Sequence, residues 1–402
     1  MTRKNRYALW TIFAILVMIL SACGQGGLSE LEQAGTYAAQ TLAALPSATE
    51  KVLPTQTATP EPTATSTPTQ APTLGPVGPV DFPEGVNPLT GLMVANPENL
   101  NRRPVFVKVA NYPAYGRPHA GLSATDIVFE YYIGGGSNRF MTVFYGENAD
   151  QIGPMRSGRL VDPQLVSMYQ GILGFVGAYE TVYTKIVDVL GIRAITETDQ
   201  TCPAICRTGN GDVVSVFSDS AKLTTLSTQR GVDNHQYTLE GMAFDPAAPD
   251  GGTAGTDVLV QYADTDRGEW QFDVPTGKYL RLIEDTTGSE LVMIPLIDRN
   301  TDEQLAFSNV IVLYAYYTEF APTLHDIDFW GNTAGRPAVI FRDGQAYNVT
   351  WKVPNNSQPI QFLDENGDPF PLKPGNTWMA IMGVNSSTTQ TEGDWKFIFN
   401  LP

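Results

Sequence analysis

The sequence predicts an α/β or α+β N-terminal domain and a mainly antiparallel β C-terminal domain, behind a lipoprotein signal and a disordered Thr/Pro-rich linker. The length of 402 residues and a hydrophobic content of 42% suffice for two or three domains. Strand-like and helix-like patterns are mixed up to residue 244, whereas short strand-like runs separated by turns follow. We therefore divide the chain into 1–22 (signal), 23–80 (lipidated cysteine and linker), 81–244 and 245–402.

The N-terminal segment has the pattern of an export signal. Three basic residues precede an apolar run from Ala8 to Leu20, which is too short to span a bilayer as a helix. The run ends in Leu20-Ser21-Ala22-Cys23, which resembles the lipobox of bacterial lipoproteins. We expect Cys23 to carry the lipid and the protein to lie at the extracytoplasmic face of the membrane. An uncleaved anchor with an incidental cysteine is the alternative.

A compositional shift marks the linker. From Pro46 to Pro79 the chain is rich in threonine, proline and alanine. Such a tract cannot bury a core and behaves as an extended spacer. We expect it to hold the folded part away from the membrane.

A hairpin, a loop with two arginines and a helix come next to each other in the N-terminal domain. Ile127–Ile133 and Arg139–Tyr145 are rich in β-branched and aromatic residues, and a glycine triplet separates them, as in a β-hairpin. The segment Gly153–Arg159 reads GPMRSGR and predicts a tight loop. Asp162 is expected to be the N-cap of a helix that begins at Pro163.

Further elements follow on both sides of the break DPAAPDGG at residues 245–252. Gly174–Tyr179 predicts a buried strand, Thr181–Leu190 a helix that stops at Gly191, and Ser218 or Ser220 the cap of another helix. The C-terminal strands are expected at Asp257–Tyr262, Trp270–Val274, Tyr279–Ile283, Val310–Tyr317, Ala338–Phe341, Tyr347–Trp351, Trp378–Met382 and Trp395–Asn400.

The charge is unevenly distributed. The net charge of −17 argues against a nucleic-acid partner or a basic membrane-binding surface. Residues 101–160 nevertheless carry seven arginines and lysines against four acids. Such a positive island favours an anion-binding site, and internal pairing with buried acids is the equally open alternative.

One constellation of side chains could carry chemistry or binding. Asp126 and Glu130 would share a face of one strand, and Arg139 on the partner strand could reach them. An arginine fork suits a carboxylate, either these two acids or a ligand such as a peptidoglycan stem peptide. The candidate ligand-binding residues are Arg117, Arg139, Arg156, Ser157, Arg159 and His235.

The histidines and cysteines provide few further candidates for a catalytic or metal site. His235 is the best candidate for a working imidazole, although a histidine hydrogen-bonded in a loop is the simpler interpretation. Cys202 and Cys206 form an even pair in an exported chain, and a helical spacing of four puts their Cα atoms about 6 Å apart, which favours a local disulfide. A nucleophilic cysteine is the alternative. No metal-site spacing is visible, and we expect neither a metal nor a cofactor.

Further short motifs occur in two parts of the chain. They cover about residues 85–385. In the first part they are Asn87–Gly91, Arg103–Val105, Arg117-Pro118, Gly121–Ser123, Asp126–Val128, Glu130, Arg139-Phe140, Ile152–Pro154, Arg156-Ser157 and Asn234–Thr238. In the second part they are Phe341–Gly344, Trp351, Phe362, Asp364–Gly367, Leu372, Pro374-Gly375 and Trp378. These motifs resemble the YerB-like family of bacterial lipoproteins, a two-part domain of unknown function. The resemblance implies the fold and the location, and it implies no activity.

These observations favour a binding protein over an enzyme. The first hypothesis is a lipid-anchored extracytoplasmic protein that binds a cell-wall component or an envelope protein through the loop with two arginines. The alternative is an envelope hydrolase or transferase for wall glycan or peptide, with Asp126 or Glu130 as acid or base and His235 assisting. A structural module that recruits a partner through the C-terminal sheet is a third hypothesis. The oligomeric state stays open.

Overall fold

Strands dominate the fold. A computed structural model describes residues 75–209, 211–288 and 291–401. Within these ranges the α-helices are α1 (Asp162–Met168), α2 (Glu180–Leu190) and α3 (Ser220–Gln229). The strands are β1 (Val86–Asn87), β2 (Leu92–Met93), β3 (Val105–Ala110), β4 (Ile127–Gly134), β5 (Ser137–Phe144), β6 (Ile172–Phe175), β7 (Ala194–Thr196), β8 (Ile205–Arg207), β9 (Val216–Ser218), β10 (Ala243–Phe244), β11 (Thr253–Ala254), β12 (Asp257–Ala263), β13 (Asp266–Asp273), β14 (Lys278–Glu284), β15 (Met293–Pro295), β16 (Ala306–Phe307), β17 (Asn309–Ala321), β18 (Leu324–Asp328), β19 (Arg336–Arg342), β20 (Gln345–Lys352), β21 (Gln361–Leu363), β22 (Pro371–Leu372), β23 (Thr377–Gly383), β24 (Ser387–Thr391) and β25 (Asp394–Ile398).

Two sheets contain most of these strands. The larger sheet has the order β11-β20-β19-β17-β23-β4-β5-β3-β6-β7, with β18 paired to β17 and β21 paired to β20. The smaller sheet has the order β15-β14-β13-β12-β25-β24, with β16 paired to β14. The larger sheet passes through both halves of the chain, because β4 pairs in parallel with β23. The N-terminal half mixes strands with helices and the C-terminal half is mainly antiparallel β, so the predicted fold class is confirmed.

The predicted hairpin is confirmed and lies at the centre of the larger sheet. In its register Tyr131 faces Arg139 and Glu130 faces Phe140. Because neighbouring residues of a strand point to opposite faces, Tyr131 and Arg139 share one face and Glu130 lies on the other. The helix α1 covers the Tyr131 face, where Asp162 contacts the Tyr131 hydroxyl. The smaller sheet covers the Glu130 face, where Arg281 of β14 contacts Glu130.

Some predicted element ends were wrong. Asp162 is the first residue of α1 rather than its N-cap, and its carboxylate accepts a hydrogen bond from Arg159 N at 2.7 Å. The cap of α3 is Asp219 rather than a serine, because its carboxylate accepts a hydrogen bond from Lys222 N at 2.9 Å. Strand β6 ends at Phe175, where the chain turns toward α2. The eight C-terminal strands lie where they were predicted, with ends shifted by a few residues.

The described residues all belong to one compact unit, Gln70–Pro402. Among them no helix combines the length and the apolar character needed to cross a membrane. The signal segment, Cys23 and the linker up to residue 74 lie outside the described residues.

Candidate functional site

The loop Gly153–Arg159, called the arginine loop below, lies at the carboxyl ends of two parallel strands. Strands β3 and β6 pair in parallel up to Val107 and Gly174. Beyond that point the loop comes between them: Arg156 N donates to Lys108 O at 2.9 Å, and Val176 N donates to Arg156 O at 3.0 Å. Ligands of α/β sheets bind outside the carboxyl ends of the strands, where neighbouring strands diverge. The arginine loop occupies such a position.

Four cationic side chains meet at this position. Arg139, Arg156 and Arg159 are partly exposed, and Lys108 lies buried beneath them. We call these four residues the cation cluster. Its carboxylates are Asp162 below, which pairs with Lys108, and Asp212 near Arg156 at the rim. The cluster therefore has more positive than negative charges.

The guanidinium groups of the cluster are only partly satisfied. Arg139 Nη1 donates to the carbonyl of Ser157 at 2.7 Å, and Arg159 Nη1 donates to the carbonyl of Gly158 at 2.9 Å. The Nε atoms of Arg156 and Arg159 are buried and have no hydrogen-bond partner among the described residues. Burial lowers the pKa of Arg139, and the charges of Arg159 and Arg156 lower it further. An anion bound at the exposed parts of these arginines would relieve this repulsion.

A buried polar group beneath the cluster was not found from the sequence. Lys108 Nζ donates to the Tyr131 hydroxyl, which donates to Asp162, and Lys108 and Asp162 are 3.2 Å apart. Burial lowers the pKa of Lys108 to about 7, while the charge of Asp162 opposes this shift. A lysine within the apolar run of β3 was the available signal. This group anchors α1, and with it the end of the arginine loop, to the sheet.

Glu130 does not contact the cluster. It is fully buried on the opposite face, where its carboxylate accepts hydrogen bonds from Trp378 Nε1 at 2.7 Å, from Asn138, and from Arg281 at 3.4 Å. Arg281 in turn stacks over the ring of Trp270, with 4.1 Å between its Cζ and the ring centroid. Burial raises the pKa of Glu130, and the Arg281 charge opposes this shift. The expected pairing of Arg139 with Asp126 and Glu130 is wrong, because Arg139 points to the other face of the sheet.

Asp126 holds the amino end of β4. Its carboxylate accepts hydrogen bonds from Asn87 Nδ2 at 2.8 Å, Tyr145 N at 2.5 Å and Gly146 N at 3.1 Å. Burial raises its pKa to about 7, although these hydrogen bonds and the charge of Arg102 oppose the shift. Asp126 also borders a pocket of about 320 Å³. It shares no hydrogen-bond partner with Glu130 in the described part of the chain.

Comparison with known proteins identifies the family. The profile described as the N-terminal domain of a protein of unknown function (DUF3048) matches residues 89–233, and that of the DUF3048 C-terminal domain matches residues 258–379. The chain belongs to the DUF3048 family. The arginine loop lies within the N-terminal match.

Two comparisons lead to one relative of this DUF3048 chain. It is 24% identical over 323 residues to the Bacillus subtilis (strain 168) protein described as "Putative lipoprotein YerB", across 76% of this chain and 89% of the relative. The crystal structure of YerB from Bacillus subtilis matches with a TM-score of 0.61 and 23% identity, and it covers 74% of this chain and 96% of that one. The structural match shows the shared fold, and the relative is a lipoprotein by name, with no activity stated.

The side chains of two predicted ligand-binding residues of this DUF3048 member do not join the cation cluster. Arg117 pairs with Glu284 at 2.6 Å and so ties the N-terminal half to β14. His235 pairs with Asp233 at 3.1 Å and stacks on Tyr237. Asp233 O accepts a hydrogen bond from Arg103, which precedes β3, so His235 lies at the opposite end of that strand from the loop. The structure therefore gathers Arg139, Arg156, Ser157 and Arg159, and separates them from Arg117 and His235.

A disulfide joins Cys202 and Cys206, with 4.7 Å between their Cα atoms. The chain here is a turn leading into β8 rather than the expected helix. Among the residues that the structure describes, no group of three or more His, Cys, Asp or Glu side chains is arranged to hold a metal ion.

Proposed function

We propose that this protein is a lipid-anchored extracytoplasmic protein without catalytic activity, and that its arginine loop binds a carboxylate of a cell-wall component. Peptidoglycan stem peptides are the ligand class we put first. An acidic segment of an envelope protein, which also presents carboxylates, is the alternative ligand for the arginine loop. The observation that carries the proposal is the cation cluster, in which the positive side chains outnumber the carboxylates beside them. Guanidinium forks bind carboxylates with two parallel hydrogen bonds.

The location rests on separate observations. Leu20–Cys23 has the residues of a lipobox behind a short apolar run. The Bacillus subtilis relative is a lipoprotein by name. A lipid on Cys23 and a Thr/Pro-rich spacer would place the arginine loop in the cell wall, where peptide carboxylates are abundant.

The contacts of the candidate catalytic residues favour binding over catalysis. Glu130 is closed off from solvent and held by three donors. His235 is exposed and lies at the far end of β3 from the cluster. A general acid or base must reach a substrate proton within hydrogen-bond distance, and neither residue can do so at the arginine loop.

Sedimentation of the mature chain with purified wall sacculi tests the proposal. Arg156→Ala removes one guanidinium of the cluster, and Arg230→Ala, at an exposed site at the end of α3, is the charge-matched control. We expect the parent chain and Arg230→Ala to sediment with sacculi, and Arg156→Ala to lose at least about 90% of that binding, since a charge-assisted hydrogen bond contributes about 1.5–3 kcal/mol. Equal sedimentation of both variants, or none by the parent, would contradict the proposal.

A second candidate function is favoured by the pocket beside Asp126. A carboxyl group with a pKa of about 7 at the edge of a pocket has the properties of a general acid. An envelope hydrolase or transferase would then use Asp126 without Glu130 or His235. Release of soluble wall fragments by the parent, and its loss in Asp126→Asn, would establish this candidate in place of the first.

A further inference from the structure

Two exposed tyrosines stand next to the arginine loop. Tyr179 is the N-cap residue of α2 and Tyr183 lies one turn further, and their side chains are 70% and 39% exposed. Residues four apart lie on the same face of a helix, so Val187, which is 37% exposed, continues the row. We call these three residues the tyrosine row.

The row is connected to the loop through direct contacts. Gly158 N of the loop donates to Gly177 O at 3.0 Å, two residues before Tyr179. Phe175 packs against Tyr183, with 6.1 Å between the ring centroids. A Cβ built on Gly158 would come within 3.3 Å of the Phe175 ring and 2.4 Å of Ile186 Cδ1. Only a glycine lets the loop approach α2 this closely, so the cation cluster lies next to the helix that carries the tyrosine row.

The tyrosines are not part of the fully buried row of α2. The helix packs through Val182, Ile186 and Leu190, which are buried in the row beside the tyrosines. Within the described residues neither Tyr179 nor Tyr183 uses its hydroxyl in a hydrogen bond with the protein. Tyrosines with one accessible ring face and a free hydroxyl are typical of binding surfaces, because one side chain supplies both apolar contact and hydrogen bonding.

The charges around the row favour an uncharged ligand. Glu180 and Asp188 are exposed on the same helix, whereas its lysine, Lys185, is paired with Asp326 at 2.6 Å. Two carboxylates beside the row would repel a nucleic acid, an anionic lipid or a second acidic segment. A ligand that spans both parts of the surface must therefore be anionic at the loop and neutral at the row.

We propose that Tyr179 and Tyr183 form a second subsite that binds sugar rings of the wall glycan while the arginine loop holds the carboxylate of its peptide. This inference rests on the proposed function and names the ligand more fully. A pyranose ring has apolar C–H faces and a rim of hydroxyls, which match the ring face and the hydroxyl of a tyrosine. The ligand class is thus a glycan unit that carries an acidic peptide.

Titration of the mature chain in detergent with two soluble probes tests the subsite. One probe is a wall stem peptide with a free carboxylate, and the other is the same peptide attached to its N-acetylated disaccharide. The wild-type chain is expected to bind the disaccharide peptide about tenfold more tightly than the peptide alone. Tyr179→Ala/Tyr183→Ala is expected to bind both probes with the affinity that the wild type has for the peptide.

Controls separate this inference from the proposed function. Tyr179→Phe/Tyr183→Phe keeps the rings and is expected to retain most of the gain in affinity that the disaccharide gives over the peptide alone. Val274→Ala/Ile294→Ala removes exposed apolar side chains from the turn after β13 and from β15, and is expected to retain all of this gain in affinity. A gain that persists in the alanine variant, or no gain in the wild type, overturns the tyrosine subsite while peptide binding still supports the arginine loop. Failure of both probes to bind, or peptide binding that Arg156→Ala leaves unchanged, overturns the proposed function as well.

Discussion

Lys108 and Asp162 form an ion pair in which both side chains are fully buried, with 3.2 Å between Nζ and Oδ1. The pair joins β3 to the first residue of α1, directly beneath the arginine loop. Asp162 also accepts a hydrogen bond from Arg159 N at 2.7 Å. One carboxylate thus fixes the strand, the helix and the end of the loop, and it offsets part of the positive charge above it.

Asp162→Asn is therefore expected to destabilise the fold by about 1–3 kcal/mol, because it leaves Lys108 and the Tyr131 hydroxyl without their buried carboxylate acceptor. Adding Lys108→Met to this variant is expected to restore part of the loss, since an apolar side chain of similar length needs no counter-charge. Urea unfolding, followed by tryptophan fluorescence, measures both effects. A double variant as unstable as the sum of the two single variants would show that the two side chains do not interact.

The stability of the fold is expected to decrease as the pH rises from about 4 to 7, through Asp126. The folded-state pKa of this carboxyl is about 7, whereas an unfolded aspartate has a pKa of about 4. Between these values the folded state binds more protons than the unfolded state, so the free energy of unfolding decreases with pH.

Asp126→Asn isolates this contribution. The variant is expected to be less stable at pH 4.5, because the amide cannot replace all the hydrogen bonds of the carboxyl, and to have a flatter pH profile up to pH 7. Urea midpoints measured at half-unit pH intervals give both profiles. An unchanged slope in the variant would assign the pH dependence to another group.

Gly158→Ala is expected to push the arginine loop away from α2. The added methyl group would meet Ile186 Cδ1 at 2.4 Å in a buried position, and overpacking of this kind costs about 1–3 kcal/mol. Ile186→Val removes the clashing Cδ1, so the double variant is expected to be more stable than the sum of the single effects. Thermal unfolding of the four chains measures this coupling, and strictly additive effects would contradict the close approach.

The sequence was a good guide to elements with strong local patterns. The hairpin of β4 and β5 has two apolar runs around a glycine triplet, and its position follows from these residues alone. The helix α2 buries Val182, Ile186 and Leu190, as their spacing predicts. The arginine loop was also visible, as a glycine-rich turn with two arginines.

The pairing of strands that are far apart in the chain could not be predicted from the sequence. The contact between Glu130 and Trp378 joins residues 248 positions apart, through the parallel pairing of β4 with β23. No local pattern encodes that pairing, so the larger sheet could not be predicted to pass through both halves. Lys108, Tyr131 and Asp162 were missed for the same reason, since the register of β3, β5 and β4 and the packing of α1 on that face bring them together.

The central claim is that the arginine loop binds a carboxylate. The most direct measurement is a calorimetric titration of the mature chain with one stem peptide in two forms, a free C-terminal carboxylate and the C-terminal amide. We predict that amidation weakens binding at least about tenfold in the parent chain and makes little difference in Arg156→Ala, because the lost interaction is a charge-assisted hydrogen bond. Equal affinity of the parent chain for both forms would contradict the account.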